Sequence, residues 1–241
     1  MKIILNRFLL SEGIDIDRVE KTVAYNPKHE DNVSTSQLTN PTVDYPEMLD
    51  GVPVWSVFKR KAGSPQDGNP LLYAMKDEDG WKFKSKYDEE RIYDQLRSIL
   101  RKYFKTYSSD VTILVPSTNY LNKKFLAIVT TFNKDSEIIN DLFRKATVDD
   151  VWNDAIDFNS KFREKFFTKK MFNDALDQLE DDMERMGEFF KLHLVKNPDI
   201  RSCVKEVIKM NQPKVAKYID AINGKNILIL DDNVSGYKTT S

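Results

Sequence analysis

The chain has 241 residues, of which 40% are hydrophobic and 31% are charged, so it is long enough to bury a core without a disulfide or a metal. Its 37 basic residues are balanced by 38 acidic ones, which excludes a binding mode that relies on a basic field over the whole surface. Binding to nucleic acid is therefore not the expected function.

Cysteine content and apolar patterns indicate the cellular setting. Cys203 is the only cysteine, so it cannot form an internal disulfide, and it falls on the apolar face of a helical pattern, where we expect it to be buried. The apolar stretch at residues 1–10 is interrupted by Asn6 and Arg7, and no run approaches the roughly 20 residues that cross a bilayer. These features favour a cytoplasmic, reducing environment without a membrane partner.

Residues 1–85 form the first predicted domain, which is rich in proline, glycine and short β-prone runs. Its opening residues predict a first strand. Residues 27–50 are polar and lack periodicity, which predicts a long surface loop. The later part alternates apolar and polar residues between turns, which predicts a small antiparallel β meander. We expect its strands at residues 52–58, 71–76 and 81–84.

Residues 86–241 form the second predicted domain, which starts with a helix. Apolar residues recur at helical spacing over residues 87–103. The three acidic residues after Tyr87 fall in the first turn, where the helix dipole favours negative charge. The pattern predicts a helix that packs through one face.

A strand and a second helix follow. The β-branched run at residues 111–115 predicts a strand, and the apolar spacing over residues 121–132 predicts a helix. The polar residues 117–120 connect the two. The order strand, loop, helix is half of a βαβ unit, from which parallel sheets are built.

Residues 136–223 are predicted to be helical almost throughout. The sequence Thr-Val-Asp-Asp at 147–150 predicts a capped helix start, and Pro198 and Pro213 suit the first turns of helices. Gly224 is placed to end the last helix. The buried stripe of one long helix is predicted to consist of Leu176, Leu179, Met183, Met186 and Phe190.

The end of the chain carries the strongest sequence signal for a ligand site. Four aliphatic residues at 227–230 are typical of a strand covered on both faces, and Asp231 and Asp232 follow at once. Ligands in open α/β sheets bind beyond the carboxyl ends of the strands. Residues 235–240, Ser-Gly-Tyr-Lys-Thr-Thr, combine a glycine with hydroxyls, so their backbone N–H groups and side chains are suited to holding an anion.

This segment resembles the 5-phosphoribosyl-1-pyrophosphate (PRPP) motif of the type I phosphoribosyltransferases, in which four aliphatic residues precede D-D-x-x-T-T-G-x-T. Gly236 stands at the sixth motif position and Tyr237 at the seventh, where the family has its glycine. The upstream order of strand, short polar loop, helix and variable region also resembles the family, over about residues 110–241. The helix that follows the motif in the family is not reached before Ser241, so either the chain is a fragment or the site is incomplete.

The resemblance implies a role for each residue of the motif. Asp231 and Asp232 would hold the ribose hydroxyls as catalytic residues, and the same two carboxylates would serve the metal ion. The loop around the 5-phosphate would be formed by Ser235, Gly236, Tyr237, Lys238 and Thr239. The pyrophosphate would be faced by Ser117, Thr118 and Asn119, with Lys123 or Lys124 close enough to supply charge.

The resemblance also implies a fold and an activity. The fold would be mixed α/β (α+β overall), with a partial phosphoribosyltransferase-like parallel sheet, a helical hood at about residues 136–223 and the N-terminal antiparallel β meander. The activity would be a Mg²⁺-dependent transfer of the phosphoribosyl group of PRPP to a nitrogen nucleophile such as a nucleobase. The alternative is a catalytically inactive protein of the same fold with a binding or regulatory role. The acceptor stays open, as does a homodimeric assembly.

Simpler interpretations stay open for the same residues. Asp231 and Asp232 can be solvated acids that follow a buried strand, and residues 117–119 can cap the next helix. His29 and His193 lack ligand spacing to each other and to Cys203, so the sequence predicts neither a zinc site nor a catalytic triad.

Overall fold

The computed structural model describes residues 13–29, 33–47, 50–60, 69–117, 120–157, 160–204 and 207–231. In these residues the protein is a mixed α/β structure with eight α-helices and several small sheets. The chain divides into two compact units, the first comprising residues 1–110, 119–137 and 230–241 and the second comprising residues 111–118 and 138–229. The predicted boundary at residue 85 stays a prediction, and the first strand predicted at the N-terminus lies outside the described residues.

The first unit contains seven short strands among its described residues. Strand β1 pairs antiparallel with β2, and β2 pairs parallel with β7. Two further antiparallel pairs join β3 to β6 and β4 to β5. The strands are β1 (Gly13–Asp17), β2 (Thr22–Asn26), β3 (Val33–Ser34), β4 (Thr42–Asp44), β5 (Val54–Ser56), β6 (Lys59–Arg60) and β7 (Lys82–Phe83).

The antiparallel meander predicted at residues 52–58, 71–76 and 81–84 is wrong, because β5 pairs with β4 and β7 pairs parallel with β2. Residues 71–76 are not a strand and form helix α1 (Pro70–Lys76). The Asn69 side chain caps its start by accepting a hydrogen bond from the backbone N–H of Leu72 at 3.3 Å. Pro70 occupies the first helical turn, where its missing N–H costs nothing. None of the residues that follow is β-branched, so a strand had little local support.

The surface loop predicted at residues 27–50 is also wrong in part. It contains β3 and β4, and Asn40 is fully buried in it. The Asn40 amide donates to the carbonyl oxygens of Ser34 and Ser36, both at 3.0 Å. These bonds allow a polar segment to be buried, because they satisfy groups that would otherwise lose water without replacement.

Two helices of the first unit match the prediction. They are α2 (Lys86–Phe104) and α3 (Leu121–Phe132). Ser85 caps α2 by accepting a hydrogen bond from the Asp88 N–H at 3.2 Å. Ile92, Leu96 and Ile99 are buried along one face of α2, as the helical spacing predicted.

A three-stranded sheet forms the base of the second unit. It consists of β8 (Val111–Leu114), β9 (Glu137–Ile139) and β12 (Ile227–Leu230), with β8 in the centre and β9 and β12 at its sides. The final strand is therefore hydrogen-bonded to the strand at 111–114. Val111, Ile113, Ile139 and Leu142 form the buried cluster of this sheet.

The remaining elements of the second unit are mainly helical. Among the described residues they are an antiparallel pair, β10 (Phe143–Lys145) and β11 (Ile208–Met210), five α-helices and a short 3₁₀-helix (Leu192–Leu194). The prediction that residues 136–223 are helical almost throughout is therefore wrong for β9, β10 and β11. The helices are α4 (Val148–Asp157), α5 (Ser160–Lys165), α6 (Lys169–Met183), α7 (Pro198–Cys203) and α8 (Gln212–Ile222).

The helical region between β10 and β11 has its own core. Phe162, Leu179, Ile200 and Cys203 are buried there, which confirms the expectation for the cysteine. The predicted buried stripe is correct for Leu179 and Met183, but α6 ends at Met183, and Met186 and Phe190 are buried in the turn after it. The left-handed backbone of Gly187, with φ of +70°, lies within this turn.

The strand β12 differs from its prediction in burial. Ile227 is 44% exposed and Ile229 is 55% exposed, so the expectation of a strand covered on both faces is wrong. Within the described residues β12 has a neighbour on one side only, and alternate side chains lack a covering element. Among the same residues, no helix is long and apolar enough to cross a bilayer.

Candidate functional site

The three strands of the β8 sheet run in the same direction. The N–H of Val111, the first residue of β8, donates to the carbonyl of Asn226, the residue before β12, at 3.2 Å. The N–H of Glu137, the first residue of β9, donates to the carbonyl of Asp110, the residue before β8, at 2.9 Å. Because the starts of paired strands are adjacent, both pairs are parallel, and the strands end at the same edge of the sheet.

The chain order reverses at β8. From β8 the chain continues through α3 to β9 on one side, while β12, which comes last, lies on the other side. Such a reversal is the position in open α/β sheets where a crevice forms beyond the carboxyl ends of two neighbouring strands. The candidate site is the edge at which β8 and β12 end.

Two of the predicted site residues are described there. Ser117 follows β8 by three residues and Asp231 follows β12 directly, and both are partly exposed. Each has an interaction partner in the structure. The other predicted site residues lie outside the described residues: Thr118, Asn119, Asp232, Ser235, Gly236, Tyr237, Lys238 and Thr239. Their assignments stay predictions.

The start of α3, close along the chain from Ser117, has an unusual composition. Its first turn contains Lys123 and Lys124 and no acidic residue, and its N-cap residue, Tyr120, makes no side-chain capping bond. Positive side chains at this end of a helix are disfavoured by the helix dipole, which favours an anion there. By contrast, α2 begins with a serine cap and with Asp88 and Glu89 in its first turn.

The structure distinguishes the two lysines of this turn. Lys124 Nζ lies 3.8 Å from Glu89 Oε1 and 5.1 Å from the centre of the Tyr93 ring. Lys123 is exposed, and no ion pair involves it within the described part of the chain. Burial raises the pKa of Tyr93, and the nearby Lys124 ammonium acts in the opposite direction. Lys123 is therefore the better candidate to meet an anionic ligand.

A polar cluster positions α8, the helix that leads into β12. Asp141 accepts hydrogen bonds from the Tyr218 hydroxyl at 2.6 Å and from Lys214 Nζ at 3.1 Å. The Asn211 amide donates to the Asp141 carbonyl at 3.0 Å. The Tyr218 bond, followed by that of Lys214, lowers the pKa of Asp141. These contacts attach the N-terminal half of α8 to the turn that follows β9.

The described residues contain no group of three or more His, Cys, Asp or Glu side chains arranged to hold a metal ion. This does not conflict with the expected magnesium, since Mg²⁺ is commonly bound by one or two carboxylates together with substrate phosphates. In the predicted site, Asp231 would provide one such carboxylate and Asp232 the second.

Comparisons with protein-family models, with curated proteins and with solved structures found no match to this chain. The case for a function therefore depends on the residues and on the sheet. Sequence reasoning missed the difference between Lys123 and Lys124, which only the position of Glu89 reveals. It also missed the Asp141 cluster, for which no local sequence signal exists. The absence of acidic residues in the first turn of α3 was a signal that could have been used.

Proposed function

We propose that this protein binds PRPP together with Mg²⁺ and transfers the phosphoribosyl group to a nitrogen nucleophile such as a nucleobase. The observation that carries the proposal is the position of β12. This strand leads directly to Asp231 and lies beside and parallel to β8, at the point where the chain order reverses. That is where an α/β sheet holds a ligand, and the motif that resembles a PRPP site begins there.

In the proposed site, the two ends of the substrate are held by residues that follow two different strands. Asp231 and Asp232 bind the ribose hydroxyls, and residues 235–239 surround the 5-phosphate. Residues 117–119, after β8, face the pyrophosphate, and Lys123 adds a positive charge to that side. Mg²⁺, when bound, supplies charge that stabilises the departing pyrophosphate.

The reaction requires positioning more than covalent chemistry. The acceptor nitrogen forms a bond to the anomeric carbon, the bond from that carbon to the pyrophosphate oxygen breaks, and the pyrophosphate leaves with the electron pair. The acceptor then gives up its proton. Carboxylates that align the sugar and N–H groups that face the leaving group lower the barrier by orientation and by charge stabilisation.

The composition of the α3 start supports an anion near that end of the helix. Its first turn contains two lysines and no acidic residue, which the helix dipole disfavours, whereas a bound pyrophosphate would offset the two positive charges. The single buried cysteine is consistent with the cytoplasmic, reducing setting that we propose for this activity.

Isothermal titration with PRPP and Mg²⁺ tests the proposal, using the wild type and the double variant Asp231→Asn/Asp232→Asn. We expect binding by the wild type and at least about a tenfold loss of affinity in the variant, because hydrogen bonds to charged groups are lost. Asp220→Asn, which changes an exposed carboxylate on α8, is the matched control and should bind as the wild type does.

Catalysis is tested separately, by pyrophosphate release in the presence of a panel of nucleobases. Release that depends on an added base and on Asp231 and Asp232 supports the transferase. Binding of PRPP without release from any acceptor favours the inactive binding or regulatory protein. If the wild type shows no heat with PRPP and Mg²⁺ at millimolar concentration, the transferase is wrong and only the inactive binding or regulatory protein is left.

A further inference from the structure

The turn between α5 and α6 presents an exposed aromatic ring within a basic surface. Phe167 lies in this turn and is 76% exposed. Residues 160–171 contain five basic residues and one acidic residue, Glu164. The five basic side chains are all exposed, and together with Phe167 we call them the α5–α6 basic surface: Lys161, Arg163, Lys165, Lys169 and Lys170.

Packing beneath the turn holds Phe167 in its exposed position. The buried Phe162 ring lies 4.8 Å from the Phe166 ring and 5.6 Å from the Phe172 ring, centre to centre. Thr168 caps α6 by accepting a hydrogen bond from the Met171 N–H at 3.1 Å. Since its aromatic neighbours fill the interior and the cap sets the backbone, Phe167 is presented by a well-packed turn.

Most of the positive charge on this surface is not neutralised. Lys165 Nζ lies 3.0 Å from Asp199 Oδ1, and the Arg163 guanidinium lies 5.1 Å over the Phe172 ring, which leaves its charge in place. Lys161, Lys169 and Lys170, like Arg163, have no ion pair with any described residue. The acidic side chains of α6 come later in the helix, from Asp174 onward. The charge of this helix is therefore segregated, with its basic end at the turn.

We propose that the α5–α6 basic surface binds single-stranded nucleic acid. A base stacks on Phe167, and Lys161, Arg163, Lys169 and Lys170 contact the phosphates on either side. A ring that offers an open face within a group of cations is the arrangement with which proteins bind single strands without reading their sequence. The near-zero net charge of the chain does not oppose this, because the field that acts on a strand at close range is local.

An anionic membrane is the competing partner for a basic surface with an exposed ring. Binding to a membrane interface increases with the apolar area that is inserted. Here Phe167 and Met171 are the large apolar side chains exposed in residues 160–172, and two side chains insert little area. One open ring, by contrast, is enough to stack one base, so nucleic acid fits the surface better. This inference does not depend on the proposed binding of PRPP.

Fluorescence anisotropy with a labelled oligo-dT of about 15 nucleotides tests the proposal. The salt dependence of the wild type, measured from about 50 to 200 mM, should give a logarithmic slope of about −3, as four phosphate contacts predict. Phe167→Ala should weaken binding about tenfold without changing that slope, because stacking is uncharged. Lys169→Gln/Lys170→Gln should weaken binding and reduce the slope by about 1.4.

The matched control is Lys134→Gln/Lys225→Gln, which removes two exposed lysines elsewhere and should leave binding unchanged. All the substituted side chains are exposed, and circular dichroism verifies that each variant folds. The proposal is overturned if the wild type fails to bind at the lowest salt, or if Phe167→Ala binds as tightly as the wild type. Binding to vesicles that contain phosphatidylserine, without binding to the oligonucleotide, would assign the surface to a membrane instead.

Discussion

The helical region of the second unit and the parallel sheet at its base differ in how completely their side chains are covered. In the helical region, Phe162, Leu179 and Ile200 are fully enclosed by neighbouring helices. In the sheet, β12 leaves Ile227 and Ile229 substantially exposed. The helical region therefore carries the larger share of buried apolar area, and we expect it to be the more stable of the two.

Two helix starts, that of α4 in the helical region and that of α3 in the first unit, also differ. At the start of α4, Thr147 Oγ1 accepts a hydrogen bond from the Asp150 N–H at 3.1 Å, and Asp150 Oδ2 accepts one from the Thr147 N–H at 2.8 Å. At the start of α3, the N-cap residue Tyr120 makes no side-chain capping bond, and the first turn has two lysines and no acidic residue. The start of α4 is therefore closed by its own side chains, whereas the composition of the α3 start favours an anion.

The largest effect is expected from the truncation of one aliphatic side chain to alanine in each of the two regions. Leu179→Ala removes a fully buried side chain from the helical core and should lower the free energy of unfolding by about 3 kcal/mol. Ile229→Ala in β12 should cost less than about 1 kcal/mol, because that side chain is largely exposed already. Urea unfolding followed by circular dichroism measures both. Equal losses would show that β12 is covered as fully as the helical core.

The cap of α4 should contribute a smaller, separate amount. Thr147→Ala removes the hydroxyl that accepts from the Asp150 N–H and should lower the unfolding free energy by about 1 kcal/mol. Thr131→Ala, which removes an exposed hydroxyl near the end of α3, is the control and should change little. If both variants unfold at the same urea concentration as the wild type, the cap of α4 does not stabilise it.

Reversing one charge at the start of α3 should separate stability from ligand binding. Lys123→Glu places a negative charge in the first turn and should raise the unfolding free energy by about 0.5 kcal/mol. The same change should weaken PRPP binding, as titration calorimetry would show. Lys134→Glu, just beyond the other end of α3, should instead lower stability slightly and leave PRPP binding unaffected. A Lys123→Glu variant that binds PRPP normally would remove Lys123 from the proposed site.

Acid should weaken the capped region through Asp150. Hydrogen bonds from Arg144, and then from Thr147, hold the pKa of Asp150 well below its ordinary value. A carboxyl whose pKa is lowered by folding stabilises the protein fully when the pH is above the pKa of the unfolded state, which is about 4. This contribution is lost as the pH falls further. The urea concentration at which half of the wild type is unfolded should therefore decrease as the pH is lowered below about 4. The urea midpoint of Asp150→Asn should decrease less over the same pH range. If the variant and the wild type have the same pH dependence, the effect does not come from Asp150.

Local patterns were sufficient for the elements with clear helical spacing or clear caps. The helices α2 and α3, the capped start at Thr147, and the proline-started helices α7 and α8 were predicted, because spacing and capping act within one or two turns of chain. The strand predicted at 71–76 failed for a local reason that was overlooked. The Asn69–Pro70 start was present in the sequence, and it is a helix signal.

For the candidate site, the sequence predicted which residues follow β8 and β12, and the structure describes Ser117 and Asp231 among them. Non-local facts could not be predicted. Lys124 is held by Glu89, which belongs to another helix and lies 35 positions earlier in the chain. Short strands such as β10 and β11 are specified by their partner more than by their own residues, so their pattern resembled that of the surrounding helices.

By itself, the sequence determined the helical faces, the caps, the strand at the end of the chain and the carboxylates that follow it, because these depend on residues close together along the chain. Only the tertiary structure decided that β8 lies between β9 and β12, that these strands are parallel, and that one face of β12 is open. Neighbours in a sheet are selected by contacts between segments more than a hundred residues apart, as Val111 and Asn226 are here. No local pattern contains that information.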